Sequence, residues 1–112
     1  MLHTRFIYVP KTAKDMKKNF FGDENAELEK WVLSDYEFNA LWNNKVLKCL
    51  NKKFDVMIDS FEEDYILYQH LYFDYEELVD DLNKFGCRNE IRMLIDMIDK
   101  AIENRTLIGF FL

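Results

Sequence analysis

Residues 89–112 read NEIRMLIDMIDKAIENRTLIGFFL, and this stretch contains both kinds of regular structure that the chain combines. Its first part repeats apolar side chains every three or four positions, which predicts one face of an amphipathic helix capped by Asn89. Its last part, Leu107–Leu112, is a continuous apolar run that predicts a strand. The apolar helical face consists of Ile91, Leu94, Ile95, Ile98, Ala101 and Ile102.

The opposite end of the chain predicts a second strand. Thr4–Val9 is a short run rich in β-branched and aromatic residues, and Pro10 ends it. Pairing this strand with Leu107–Leu112 would join the two ends of the chain in a small β element. A two-stranded ribbon is only marginally stable alone, so we expect helices to cover it.

The segments between the two strands are predicted to be mostly helical. Ser34 and Glu37 form a capping box at the start of a helix over 35–52. That helix carries an apolar stripe with a period of 3.6 residues. Further helices are expected over 11–21, from Asp23 through Leu33, from near Ser60, and over 75–85 after a box-like start at Asp74 and Glu77.

One segment, 54–59, fits two structures. Its apolar residues alternate with polar ones as in a half-buried strand, but they also fit one face of a helix, and the choice stays open. The predicted fold class is mostly α (α+β). We expect a single domain over 1–112, with about five or six helices and a small β element that pairs the N- and C-terminal segments.

Composition limits the class of protein. The chain has 112 residues, a net charge of −6, and only 3 glycines and 1 proline. The few glycines and prolines argue against a β-sandwich with many tight turns. No apolar run is long enough for a secretory signal or a membrane span. Cys49 and Cys87 are interpreted as free thiols in a reducing compartment, so we expect a cytoplasmic protein that contacts no membrane.

The negative charge is concentrated in one segment. Residues 54–83 contain ten acidic side chains and no Lys or Arg, whereas the flanking segments are net positive. Glu76/Asp80 and Glu77/Asp81 are like-charge pairs that disfavour an isolated helix by roughly 0.2–0.5 kcal/mol each. Two interpretations stay open at this point: a solvated acidic face, or an anionic surface that attracts a cationic partner.

Aromatic residues share this segment and, with the acids, define the predicted binding surface. Tyr65–Phe73 is apolar on more than one helical face, so some of its rings should reach the surface. Tyrosine beside carboxylate is a frequent composition of protein interfaces. The predicted partner-binding residues are Asp59, Glu62, Glu63, Asp64, Tyr68, Tyr72, Asp74, Glu76, Glu77, Asp80 and Asp81.

Signatures of catalysis and of cofactor binding are missing from the sequence. It has no glycine-rich phosphate loop, no Gly-x-Ser-x-Gly and no Cys-x-x-Cys. Glu63 and His70 would share a face of one continuous helix, but two ligands do not make a closed zinc site. We therefore predict no enzymatic activity, no cofactor, no metal and no nucleic-acid partner.

In size, in acidity and in the absence of catalytic groups, the chain resembles bacterial immunity proteins. Its closing run Ile102–Leu112 also resembles proteins of this kind. The proteins meant are those that neutralise nuclease toxins of contact-dependent growth inhibition or polymorphic toxin systems. The resemblance implies cytoplasmic residence and a cognate basic toxin domain, which the acidic, aromatic-rich surface would bind and occlude.

The alternative is a phage-encoded inhibitor that mimics nucleic acid, such as an anti-CRISPR protein. The arrangement of the carboxylates distinguishes the two functions. A nucleic-acid mimic should space them like phosphates along an extended face, whereas a cap for a toxin should be a compact patch with aromatic rings at its centre.

Overall fold

The computed structural model describes residues 4–112, in which four strands and six helices form an α+β fold. The strands are β1 (Arg5–Pro10), β2 (Leu28–Leu33), β3 (Glu63–Leu67) and β4 (Leu107–Phe111). The helices are α1 (Ala13–Phe20), α2 (Asp35–Asn43), α3 (Val46–Phe54), α4 (Tyr68–Phe73), α5 (Tyr75–Leu82) and α6 (Arg88–Asn104). The strands form one antiparallel sheet in the order β2-β1-β4-β3.

Strands β1 and β4 lie side by side at the centre of this sheet, which confirms the predicted pairing of the two terminal segments. Phe6 is opposite Phe111, and Tyr8 is opposite Gly109. The β structure is nevertheless larger than the small element predicted. It is larger because β2 pairs with the other edge of β1, and β3 pairs with the other edge of β4.

Strand β2 corrects the prediction of a helix from Asp23 through Leu33. Apolar side chains alternate along this strand: Trp31 and Leu33 are buried, whereas Val32 between them is 59% exposed. The alternating stretch is short, so the same residues also fit a helical face. The free edge of β1 decides the outcome, because it supplies partners for the backbone N–H and C=O groups of β2.

Strand β3 corrects the prediction of a helix from near Ser60, because α4 begins only at Tyr68. Phe61 has a φ of 63°, in the left-handed region, which is incompatible with a continuing helix. The carboxylate of Asp64 accepts hydrogen bonds from the N–H groups of Met57 (2.7 Å) and Tyr65 (2.8 Å). These local bonds compete with helix formation and favour the extended strand.

The capping box of Ser34 and Glu37 is confirmed by both of its hydrogen bonds. The helix it begins is shorter than the predicted 35–52. Lys45 adopts a left-handed conformation with a φ of 65°, and this residue separates α2 from α3. No side-chain hydrogen bond caps α5 at Asp74, and Asn89, the predicted cap of the last helix, lies inside α6.

The ambiguous segment 54–59 leaves α3 at Phe54 and then forms neither strand nor helix. The side chain of Asn51 stabilises it. Its amide nitrogen donates to the carbonyl of Ile58 at 2.9 Å, and its oxygen accepts from the N–H of the same residue at 2.6 Å. Satisfied in this way, the backbone needs no regular partner strand.

Helices cover both faces of the sheet. On one face, α6 packs against β1 and β4, α2 against β2, and α4 against β3. On the other face lies α1, where Asn19 contacts the hydroxyl of Tyr8 and the ring of Phe20 contacts that of Tyr65. The core on the α6 side is one continuous cluster; among its members are Ile7, Val9, Trp31, Leu41, Leu50, Leu71, Leu78, Leu94, Ile98 and Phe110.

Candidate partner-binding groove

A groove of about 740 Å³ lies between the α4–α5 turn and the C-terminal half of α6. We call it the α4–α6 groove. It is open to solvent and combines aromatic side chains with carboxylates. Its lining residues are Tyr72, Phe73, Asp74, Tyr75, Glu76, Glu77, Asp99, Ile102 and Glu103.

The turn between α4 and α5 places two aromatic rings on the surface. Leu71 and Leu78 are fully buried and fix the two helices to the core. Between these anchors the chain turns at Asp74, which leaves Tyr72 71% exposed and Phe73 87% exposed. Phe73 is the most exposed large apolar side chain of the described residues. Adjacent exposed aromatic rings beside polar groups are typical of interaction sites.

A hydrogen bond joins the two walls of the groove. The hydroxyl of Tyr75 on α5 donates to Oδ1 of Asp99 on α6 at 2.6 Å. This bond to the carboxylate, with a smaller contribution from burial, raises the pKa of Tyr75. The hydroxyl therefore stays protonated, and able to donate, to a higher pH than that of an isolated tyrosine.

The groove has a strongly negative lining. Five of its nine residues are carboxylates, and none is Lys, Arg or His. Concave surfaces lined by one sign of charge concentrate the electrostatic field and attract the opposite charge. Asp99 and Glu103 were not predicted, because they lie outside 54–83. Their spacing of four residues on α6 is the same like-charge signal that identified the pairs on α5.

Lys53 of α3 neutralises part of the acidic surface of α5. Its Nζ lies 2.9 Å from Oε1 of Glu77 and 3.2 Å from Oδ2 of Asp81. Lys84 lies 3.5 Å from Oδ1 of Asp81. The hydrogen bond from Lys53 is the main reason that the pKa of Asp81 is lowered. Of the four predicted acids on α5, Glu77 and Asp81 therefore form ion pairs with lysine. Glu76 and Asp80 are exposed and form none.

The remaining predicted acids form a separate cluster at the start of β3, and most of them have structural partners. Asp64 bonds to the backbone as described above, and Asp59 accepts from the N–H of Ser60 at 2.7 Å. Glu63 accepts from the hydroxyl of Tyr8 at 2.6 Å. Burial and then this bond raise the pKa of Tyr8. Glu62 is exposed.

Strand β3 separates this cluster from the groove. Its five residues span roughly 16 Å at about 3.3 Å per residue. Tyr68, at the start of α4, is half-buried and donates its backbone N–H to the carbonyl of Thr106. Of the predicted partner-binding residues, Tyr72, Asp74, Glu76 and Glu77 line the groove, and the others do not.

The described residues contain no group of three or more His, Cys, Asp or Glu side chains placed to bind a metal ion. Glu63 lies in β3 and His70 in α4, so they do not share one continuous helix as the sequence suggested.

None of the helices in residues 4–112 is both long enough and apolar enough to cross a lipid bilayer.

Comparison with known proteins finds no matching family model, no matching curated protein and no matching solved structure. The groove itself is therefore the basis for a functional proposal.

Proposed function

We propose that this chain is an immunity-type inhibitor that binds a basic toxin domain, of nuclease type, in the cytoplasm and occludes its active site. The α4–α6 groove carries this proposal. It presents Tyr72 and Phe73 at the surface beside five carboxylates, and no cation lines it.

Each part of the groove has a role in such an interface. The few residues that dominate the energy of a protein interface are often large aromatic ones that a partner covers. The carboxylates speed association with a basic surface and disfavour acidic competitors. A toxin domain that binds RNA or DNA has a cationic active site, which is the surface that this groove complements.

The compact shape of the groove favours a protein cap over a nucleic-acid mimic. Its carboxylates line the same groove as Tyr72 and Phe73, and strand β3 separates them from the second acidic cluster. A mimic of a duplex would instead need regularly spaced charges along an extended face.

The proposal expects the gene immediately upstream of this one to encode a protein that ends in a small basic domain, and the experiment uses that domain. The two are co-expressed and purified, and their affinity is measured by titration. The groove variant Glu76→Lys/Glu103→Lys reverses two exposed lining carboxylates. It should weaken binding by roughly a hundredfold or more, since like charges across an interface cost several kcal/mol.

The matched control is Glu24→Lys/Asp96→Lys, which changes the net charge equally at exposed positions outside the groove. It should bind almost as well as the wild type and protect cells from the toxin. Equal weakening by both double variants would mean that only net charge matters, and the groove would not be the interface. Competition between this chain and DNA for several unrelated nucleic-acid-binding proteins, with affinities similar to that for the basic domain, would favour the mimic instead.

A further inference from the structure

Two carboxylates on the α6 wall of the α4–α6 groove have no cation of their own. Asp99 and Glu103 are both exposed and are four residues apart, so they lie on one side of the helix with Cβ atoms about 6 Å apart. Lys100 stands between them in the sequence, but its Nζ lies 3.5 Å from Oε2 of Glu29 in β2. Among residues 4–112, no lysine or arginine forms an ion pair with either carboxylate.

The aromatic rings of the same groove are equally available. Tyr72 is 71% exposed and Phe73 is 87% exposed. In the part of the chain that the structure describes, neither ring stacks on another aromatic ring or lies under a cation. The groove therefore offers flat ring faces as well as carboxylate oxygens to whatever enters it.

The arrangement suits an organic cation better than a metal ion. No three ligating side chains of the described residues converge as a metal site requires. A protein partner supplies two kinds of permanent cation, the ammonium of lysine and the guanidinium of arginine. The two differ in shape, in hydration and in the number of hydrogen bonds that they donate.

We propose that the α4–α6 groove receives an arginine side chain of its basic partner in preference to a lysine. This inference rests on the proposed function, since it names the chemical group that the partner contributes. A guanidinium is planar and has five N–H donors, so it can bond to two neighbouring carboxylates while its face lies on an aromatic ring.

An ammonium group gains the same attraction between charges but less from the rings. It is compact and strongly hydrated, and it has no flat face to stack. Entering a groove beside Tyr72 and Phe73 removes part of its water without an equivalent replacement. The preference for arginine therefore depends on the rings, whereas the attraction of any cation depends on the carboxylates.

The test is an NMR titration of the ¹⁵N-labelled full chain at low salt with two blocked hexapeptides. One peptide contains two arginines, and the other contains two lysines at the same positions among glycine and serine. Because the peptides carry equal charge, attraction between charges alone would give them equal affinity. We expect saturable shifts at the backbone amides of 72–76 and 99–103, and the arginine peptide should bind about fivefold more tightly.

A double variant separates the rings from the charges. Tyr72→Leu/Phe73→Leu removes both exposed rings but keeps every carboxylate and an apolar side chain at each position. It should bring the two affinities within about twofold of each other, mainly by weakening the arginine peptide. The matched control is Phe21→Leu, which removes an 80% exposed ring outside the groove and should leave the preference unchanged.

Equal affinities of the wild type for the two peptides would overturn the inference. Tighter binding of the lysine peptide, shifts confined to other surfaces, or no binding of either peptide would overturn it too. This comparison needs only wild-type protein, so it decides the question even if the double variant does not fold.

Failure of the inference is distinguishable from failure of the proposed function. If the upstream basic domain binds through the groove but the peptides bind equally, the function is supported and the arginine preference is refuted. If the arginine peptide is preferred but the basic domain does not bind, the toxin-inhibitor function is refuted and the preference of the groove stands.

Discussion

At the scale of single residues, Lys53 determines which carboxylates of α5 are free for a partner. Its Nζ lies between Glu77 and Asp81, and its side chain is 13% exposed. The hydrogen bond to Glu77 is the largest cause of the raised pKa of Lys53, and the bond from Lys53 lowers the pKa of Asp81. The number of acidic residues on α5 overstates the negative charge that this helix presents to a partner. Lys53, which belongs to α3, neutralises part of that charge.

We predict that Lys53→Met lowers stability at neutral pH. Folding lowers the pKa of Asp81. Its contribution to the free energy of unfolding is therefore fully present above its ordinary pKa and is lost as pH falls through the lowered value. Folding raises the pKa of Lys53, so its contribution to the same free energy is fully present below its ordinary pKa and is lost as pH rises through the raised value. Melting temperatures of variant and wild type should converge near about pH 2, where carboxyl groups are protonated.

The control for this prediction is Lys52→Met, which makes the same charge change at the neighbouring exposed position. It should have little effect on the melting temperature. Lys53→Met should also bind a basic partner more tightly, since it releases Glu77 in the groove. A loss of affinity together with the loss of stability would contradict this assignment.

At the scale of elements, the centre of the sheet depends on a glycine. Gly109 in β4 lies opposite Tyr8 in β1 and opposite Tyr65 in β3. The ring of Tyr8 occupies the space where any Cβ of residue 109 would lie. The absence of a side chain at this position therefore lets the buried ring of Tyr8 lie flat against the sheet.

Gly109→Ala should consequently destabilise the fold. The ring of Tyr8 must move away from its bond with Glu63, and overpacking of this kind typically costs about 1–3 kcal/mol. Gly86→Ala is the matched control, because nothing lies within 4 Å of its added Cβ and its φ is not positive. It should stay within about 1 kcal/mol of the wild type. Urea denaturation of the two variants measures the difference, and similar midpoints would contradict the packing argument.

The elements that the sequence predicted correctly are those with a long or unambiguous pattern. The apolar stripe of α6 extends over several turns, and the two terminal strands are continuous apolar runs. Strands β2 and β3 were missed because each mixes apolar with charged residues and lies at an edge of the sheet, where the neighbouring strand decides the structure. The same limit applies to the groove: the sequence identified Tyr72, Asp74, Glu76 and Glu77, but the contribution of α6 requires knowledge of how the helices pack.

At the scale of the whole molecule, charge is distributed unevenly over the surface. Helix α1 carries exposed Lys14 and Lys17 on one face of the sheet. The α4–α6 groove, with its five carboxylates, lies on the other side, where α4 and α6 cover the sheet. A molecule with this arrangement orients a cationic partner before contact, and the orientation weakens as salt screens the field.

We therefore predict that the association rate with a basic partner falls as ionic strength rises, while the dissociation rate changes less. Screening shortens the range of the field to about 8 Å at physiological salt. Stopped-flow measurements at low and high salt test this. The control is Glu24→Lys/Asp96→Lys, which makes the net charge less negative but preserves the groove, and it should retain most of the salt dependence. An association rate that is constant across salt concentrations would exclude electrostatic attraction.

The central position of β1 and β4 also has a kinetic consequence. The carbonyl of Pro10 accepts its hydrogen bond from Thr106, 96 residues further along the chain. Bringing such distant segments together has an entropic penalty that precedes most of the stabilising contacts, so proteins rich in these pairings fold slowly. The β1–β2 pair is closer in sequence and can form first. Docking of β4 should then limit the folding rate, and α6, which leads directly into β4, would reach its final place only at that step. The groove would consequently become competent to bind late in folding.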